Sequence, residues 1–302
     1  MSSMSDIRYD IVDVFAQSQY TGNQLAVVQP EGELSGEEMQ RIANEFDYSE
    51  TTFIDPDGSH ADGFEVRIFS PTTELPFAGH PTLGTAYVLR ERLGLSDDEL
   101  VLHEQVGAIP VSVEKTATGD EILLMEHPEP TFDEIIEPAR AADAVSLPAD
   151  VLDDQFPAQI ISTGVPTLIV PVESLSAVKE AETNDEVYSE LVDQYGVRNL
   201  LVFAPETYEP ENELNVRVFA EFFGIPEDPA TGASNGCLAA YLTEHQYFDT
   251  SEIDVRVEQG YEVNRPSLLY LRGQTTADSI QVEVGGRVIP TATGTLVESN
   301  SL

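Results

Sequence analysis

Short stretches along most of the chain alternate apolar and polar residues with the period of two that puts successive side chains on opposite faces of a sheet. They predict strands at Ile7–Ala16, Gln24–Val28, Thr51–Ile54, Phe64–Phe69, Glu99–Leu102, Ala108–Glu114 and Glu121–Met125. Gly22-Asn23 supplies the turn between the first two. Ser35 with Glu38 three positions on forms a capping box, and Met39, Ile42, Ala43 and Phe46 give the following helix one apolar face. A second helix runs from a Gly-rich stretch to about Leu93. Glu126-His127-Pro128-Glu129-Pro130 breaks the pattern and reads as a linker. Beyond it, strands are predicted at Ile160–Ser162, Thr167–Val172, Asn199–Phe203, Leu214–Phe219, Val255–Gln259, Leu268–Arg272, Gln281–Val284 and Arg287–Pro290. One long helical stretch spans Ser174 to about Tyr195.

The two halves repeat. Val66-Arg67-Ile68-Phe69 recurs as Val216-Arg217-Val218-Phe219, and a Gly-rich loop and apolar helix follow each copy. Gly79-His80-Pro81-Thr82-Leu83-Gly84 answers to Gly232-Ala233-Ser234-Asn235-Gly236 and its continuation. Each half is therefore expected to be a mainly antiparallel sheet with two helices, an α+β architecture of two like domains. The boundaries expected are 1–127 and 128–284, with a last strand near 285–298 rejoining the first domain. Two such domains facing each other would enclose a cleft, the usual place for a small ligand.

Charge changes the picture. The 302 residues carry 14 Lys+Arg against 55 Asp+Glu, a formal net charge of -41. The acids are spread through patterned segments, and the composition resembles that of a protein from a salt-in halophile. Nucleic acid and anionic membrane are poor partners for such a field. No apolar run is long enough to span a bilayer, and the first residues show no basic or apolar leader pattern, so a cytoplasmic protein is expected. One cysteine, Cys237, excludes an intrachain disulfide, and no Cys/His cluster has metal-site spacing. In so acidic a chain a carboxylate is weak evidence of catalysis.

The candidate chemistry lies in the two Gly-rich loops. A helix start offers N–H groups and a partial positive charge to an anion, so Gly79 on one loop and Gly232, Ala233 and Ser234 on the other are candidate substrate-binding positions. Neither loop is a phosphate loop or a dinucleotide fingerprint. His80, between Gly79 and Pro81, reads equally as a hydrogen-bonding cap and as an acid/base. Glu50, between the first amphipathic helix and an apolar strand, reads on its own as a surface acid. Asp228 reads as a turn acid, Cys237 as a small buried hydrophobe, and His60, His103, His127 and His245 as isolated.

Several motifs in order resemble the PhzF phenazine-biosynthesis-like family: Asp13-Val14-Phe15 with Gly22-Asn23-Gln24-Leu25-Ala26, Ser49-Glu50-Thr51-Thr52-Phe53, Phe77-Ala78-Gly79-His80-Pro81-Thr82-Leu83-Gly84, Glu227-Asp228-Pro229-Ala230-Thr231-Gly232, Val257-Glu258-Gln259-Gly260 and Gly286-Arg287-Val288. The resemblance implies a diaminopimelate-epimerase-like fold of two pseudo-symmetric domains, each sheet wrapped around a central helix, and a homodimer. It implies a cofactor-independent isomerase, without metal, moving a proton on a small carboxylate-bearing substrate. Glu50 matches the family's acid/base carboxylate, and His80 and Asp228 match its conserved histidine and aspartate. Where the family commonly has serine after Thr-Gly, this chain has Ala233, with Ser234 one place later. An amino-acid epimerase or racemase, and a binding protein without catalysis, are the competing readings. A racemase using one cysteine from each domain does not fit, since Ala78 and Pro229 hold the loop positions.

Overall fold

A computed structural model of the chain describes residues 7–30, 32–60, 63–95, 98–277 and 279–297, without the side chains of 55–60. The first six residues, read above for a leader, and the side chain of His60 lie outside the described set. The chain divides into two compact units: one runs to Met125 and takes back the chain from Gly286, and the other is Glu126–Gly285.

The first unit contains β1 (Ile7–Val14), β2 (Asn23–Gln29), α1 (Gly36–Phe46), β3 (Glu50–His60), β4 (Gly63–Phe69), β5 (Glu74–Leu75), α2 (Gly79–Leu93), β6 (Glu99–Glu104), β7 (Gly107–Lys115) and β8 (Glu121–Glu126). The last strand of the chain, Val288–Leu296, returns to pair with β1. From that strand the sheet order is β1, β2, β3, β4, β6, β7 and β8. Of these pairings among the described residues, β2–β3 and β4–β6 are parallel. Ser35 caps α1 as predicted, accepting from the Glu38 N–H while the Glu38 carboxylate accepts from Ser35 N.

The second unit contains β9 (Thr131–Ile135), α3 (Pro138–Ala144), β10 (Gln159–Ser162), β11 (Thr167–Pro171), α4 (Leu175–Glu180), α5 (Asp185–Tyr195), β12 (Asn199–Ala204), β13 (Leu214–Ala220), β14 (Ile225–Asp228), α6 (Gly232–Glu244), β15 (Glu252–Gln259), β16 (Ser267–Thr275) and β17 (Ile280–Gly286). β9 to β13 pair in sequence order, and β15, β16 and β17 follow; β11–β12 and β13–β15 are parallel. The pairing scheme of the first unit is thus repeated strand for strand.

The repeat reaches individual side chains. Arg67 on β4 grips Glu74 through Nε and Nη2, both at 2.7 Å, and lies over the Phe69 ring. Arg217 on β13 grips Glu227 at 3.0 and 2.7 Å and lies over Phe219. Each bidentate pair pins the short strand from which the chain enters its Gly-rich loop. Arg217 also donates to the carbonyls of Val178, Lys179 and Ala181, which ties α4 to the sheet.

Both sheets wrap a central helix. Gly79 to Ala86 of α2 are buried without a break, and α6 is buried from Ser234 to Thr243. A helix buried on every face needs small residues where strands approach. A Cβ on Gly84 would fall 2.5 Å from Leu25 Cδ2 and 2.9 Å from Val14 Cγ2, so β1 and β2 pack directly on the α2 backbone.

Two expectations needed correction. The stretch Ser174–Tyr195 is two helices, because Ala181 turns to an extended conformation and Asn184 caps a new helix by accepting from Val187 N. The second unit also has α3 and β9, which carry almost no alternating apolar signal: β9 has one partly buried apolar residue, Phe132, among exposed positions.

Candidate functional site

In the first unit the parallel pairing of β2 and β3 sets Leu25 beside Glu50. Glu50 is the first residue of β3 and is 17% exposed through its side chain. His80 is the second residue of α2 and is buried. Its Nε2 lies 3.3 Å from the Gln24 carbonyl oxygen and 3.5 Å from Glu50 Oε2. A carbonyl only accepts, so Nε2 carries the hydrogen. Burial pushes the His80 pKa down to about 3, and the Gln24 contact opposes this weakly. His80 is therefore a neutral imidazole near pH 7, and its contact with Glu50 is not an ion pair.

A depressed pKa means that the stability gained by burying neutral His80 is present above the ordinary value of 6.5 and is lost as pH falls from there toward about 3. In a histidine NMR titration the His80 ring is expected to stay flat from pH 5 to 8. A step near 6.5 would show a charged ring in the working range.

The helix bearing His80 starts without a side-chain cap, since Ala78 has none to offer. It is held by Thr85 Oγ1, 2.8 Å from Thr52 Oγ1, two residues along β3 from Glu50. A helix start leaves its first N–H groups without intrahelical carbonyl partners, and Gly79 opens this one.

In the second unit Asp228 ends β14 and is buried. Thr231 occupies the cap position of α6, yet its hydroxyl does not cap the helix; it donates to Asp228 Oδ2 at 2.5 Å. Gln259 of β15 organises both. Its Nε2 donates to the Asp228 carbonyl at 2.7 Å and to Thr231 Oγ1 at 3.1 Å, and its Oε1 accepts from Thr231 N at 3.2 Å and Asn235 Nδ2 at 2.8 Å. Gly260, at φ +79, lets the strand end pass close to the loop: a Cβ there would sit 2.4 Å from the Pro229 oxygen. Sequence reasoning misses Gln259 as a site residue, although Val257-Glu258-Gln259-Gly260 is one of the motifs that carry the family resemblance.

Gly232 and Ala233 form the first turn of α6. Ser234 is engaged away from the loop. Its buried Oγ accepts from Asn199 Nδ2 at 2.9 Å and lies 3.2 Å from Thr167 Oγ1, tying α6 to β11 and β12. Cys237 is buried, with its thiol pKa raised by desolvation. His127 is buried against α6, where a Cβ on Gly236 would fall 2.3 Å from Nδ1, and burial lowers its pKa to about 4. Among the described residues no group of three or more His, Cys, Asp or Glu is placed to hold a metal ion, and no helix is long and apolar enough to cross a membrane.

The family model for phenazine biosynthesis-like proteins matches residues 12–294. The chain belongs to this family. It is 32% identical over 280 residues to a trans-2,3-dihydro-3-hydroxyanthranilate isomerase of Pseudomonas aeruginosa, covering 92% of this chain and 95% of that one. A PhzF-family phenazine biosynthesis protein of Bacillus anthracis superposes with a TM-score of 0.89 at 27% identity, covering 98% of this chain and all of that one. A hydroxyproline epimerase from Agrobacterium vitis shares the fold alone, with a TM-score of 0.63 at 10% identity over 98% of this chain and 94% of that one. The protein is an enzyme of the isomerase class with the two-domain, diaminopimelate-epimerase-like fold.

Proposed function

We propose that the protein is a cofactor-independent isomerase that moves a proton on a small cyclic or unsaturated carboxylate, with Glu50 as the acid/base. The observation that carries this reading is the Glu50 carboxyl group 3.5 Å from a buried, neutral His80 at a helix start without a side-chain cap. Ionised Glu50 takes a proton from a carbon next to the unsaturated system. The electron pair left behind spreads into the substrate carboxylate, and N–H groups at the helix start stabilise that charge. Protonated Glu50 then returns the proton to a second carbon, and the double bond shifts. His80 is neutral with its Nε2 hydrogen turned to Gln24, so it lies beside the carboxyl group without competing for the migrating proton. Gly79 contacts the substrate at that helix start, and in the second unit the substrate-contacting positions are Asp228 and the backbone of Gly232 and Ala233. Ser234 contributes through its backbone, since its hydroxyl is engaged elsewhere.

The relative in Pseudomonas aeruginosa makes trans-2,3-dihydro-3-hydroxyanthranilate the first compound to try. Incubation in heavy water with this compound and a panel of cyclic unsaturated carboxylates is expected to place deuterium on a ring carbon of at least one of them. Binding of a panel member with no deuterium in any of them would argue for a binding protein. Exchange with inversion of configuration and no double-bond shift would make the enzyme an epimerase.

A further inference from the structure

The repeat brings another carboxyl group of the first unit into view, and this one is buried. Glu104 ends β6, and Gln259 ends β15. The parallel registers are the same: Phe64 pairs with Leu102 and Glu65 with His103, as Leu214 pairs with Val257 and Asn215 with Glu258. The next residue is Glu104 in one unit and Gln259 in the other. Each meets the fourth residue of its central helix, Thr82 in α2 and Asn235 in α6. That residue in turn reaches back to the carbonyl at the cap position, Ala78 or Thr231.

The hydrogens balance in the second unit. Asn235 Nδ2 has two, and gives one to the Thr231 oxygen at 3.0 Å and one to Gln259 Oε1 at 2.8 Å. Thr82 has one hydroxyl hydrogen, yet its Oγ1 lies 2.7 Å from the Ala78 oxygen and 2.6 Å from Glu104 Oε1. If Thr82 donates to the carbonyl, which has no hydrogen to give, the hydrogen of the second contact must come from Glu104. Oε2 of Glu104 is buried with no hydrogen-bond partner among the described residues. A charged oxygen in that state is far costlier than a neutral carbonyl oxygen.

We propose that Glu104 is a neutral carboxylic acid at pH 6 and does for α2 what the Gln259 amide does for α6: it donates to Thr82 Oγ1 and fixes the helix turn that carries His80. Glu104 is thereby a positioning residue. Its effect on catalysis rests on the assignment of Glu50 and His80 above, whereas its protonation state does not.

The surroundings agree. Burial raises the Glu104 pKa to about 7, and the Thr82 contact opposes this only in part. Among the described residues, the titratable groups packed near it do not supply a cation. On β4, Glu65 is in register with His103, the residue before Glu104, so by the alternation of the strand Glu65 and Arg67 point to the face opposite Glu104. Arg67 is engaged by Glu74 there. On β6 itself, His103 also points to that opposite face. On β7, Gly107 is the residue across from Glu104, and Glu114 and Lys115 lie at the far end of the hairpin. On α2, His80 is neutral.

Glu104→Gln, made in the full chain, tests this. The infrared spectrum of the wild type at pH 6 should contain a protonated-carboxyl band that the variant lacks and that fades as pH rises through about 7; ordinary carboxylates are ionised at pH 6 and leave that region clear. Urea unfolding in molar KCl gives a second readout. The raised pKa makes Glu104 favour folding below about 4.5, and that contribution is lost as pH rises from there to about 7. Relative to the variant, the wild-type folding equilibrium should therefore fall on the order of 10²-fold between pH 4 and 8. The variant should keep the wild-type deuterium-exchange rate at pH 6, while Glu104→Ala should lower kcat with little change in KM. No difference in the carboxyl band, no difference in pH slope, or a Glu104→Gln chain that fails to fold would each show an ionised Glu104 and overturn the proposal. A normal kcat in Glu104→Ala, with the band and slope as expected, would remove the positioning role. If neither the wild type nor the variants exchange deuterium, the assignment of Glu50 has failed, and the band and slope still decide the protonation state.

Discussion

Glu50→Gln is expected to lower the rate of deuterium exchange by at least about 10²-fold, the usual cost of removing a general acid/base, while substrate still binds. The amide keeps the shape of the side chain and its reach toward His80, 3.5 Å away, but has no site to hold the migrating proton. His80 cannot take over: with its pKa near 3 and its Nε2 hydrogen directed at Gln24, it is neither a cation nor a base on that nitrogen. Folding should survive, because Glu50 begins β3 and its backbone pairing does not involve the carboxyl group. The measurement is exchange under saturating substrate, with affinity read separately by calorimetry. A variant within a few-fold of wild type would sink the assignment. A variant that neither binds nor exchanges would place Glu50 in substrate binding and leave the base to be found elsewhere. The distinction matters because uniform binding and transition-state binding act on different kinetic constants.

Much of this arrangement can be read from the chain, for a physical reason. Strands such as Phe64–Phe69 and Leu214–Phe219 bury one face or both, so their apolar periodicity is written into the residues. The two central helices announce themselves by small residues, since a helix enclosed by a sheet has no room for large ones at Gly84 or Gly236. The misses have the opposite cause. β9 is mostly exposed and has no pattern to show, and the break between α4 and α5 depends on the conformation of Ala181 and the cap at Asn184. At the site, Glu50 is visible only through the resemblance of its flanking residues to a family, because 55 acidic residues hide any single one. Glu104 and Gln259 are hidden for a different reason. Their roles depend on strand register, which places each beside its helix across more than twenty residues of sequence. Ser234 reads from sequence as a substrate contact, although its hydroxyl faces the sheet, because spacing along the chain does not say which side of a helix the strands will cover.

The melting temperature should rise by on the order of 10 °C between dilute buffer and molar KCl, a gain of a few kcal/mol for a chain of this size. The net charge of -41 is the cause. In dilute buffer the screening length is longer than the spacing between surface carboxylates, so each acts on many others; at 1 M it is about 3 Å and acts on almost none. Salt also weakens exposed ion pairs such as Arg41–Glu37, but such pairs contribute at most about 1 kcal/mol each and there are few basic residues to make them. The buried pair Arg217–Glu227, at 9% and 11% exposure, is shielded from screening and should hold the entry to the second Gly-rich loop at any salt concentration. The balance therefore favours the folded state as salt rises. Potassium chloride suits the test because it screens without the strong surface exclusion of sulfate or phosphate. The discriminating comparison is sucrose at matched osmolarity, which is excluded from the surface but screens nothing. If sucrose stabilised the chain as much as KCl, screening would not be the mechanism; equal melting temperatures in dilute buffer and molar KCl would mean that the carboxylates do not oppose folding.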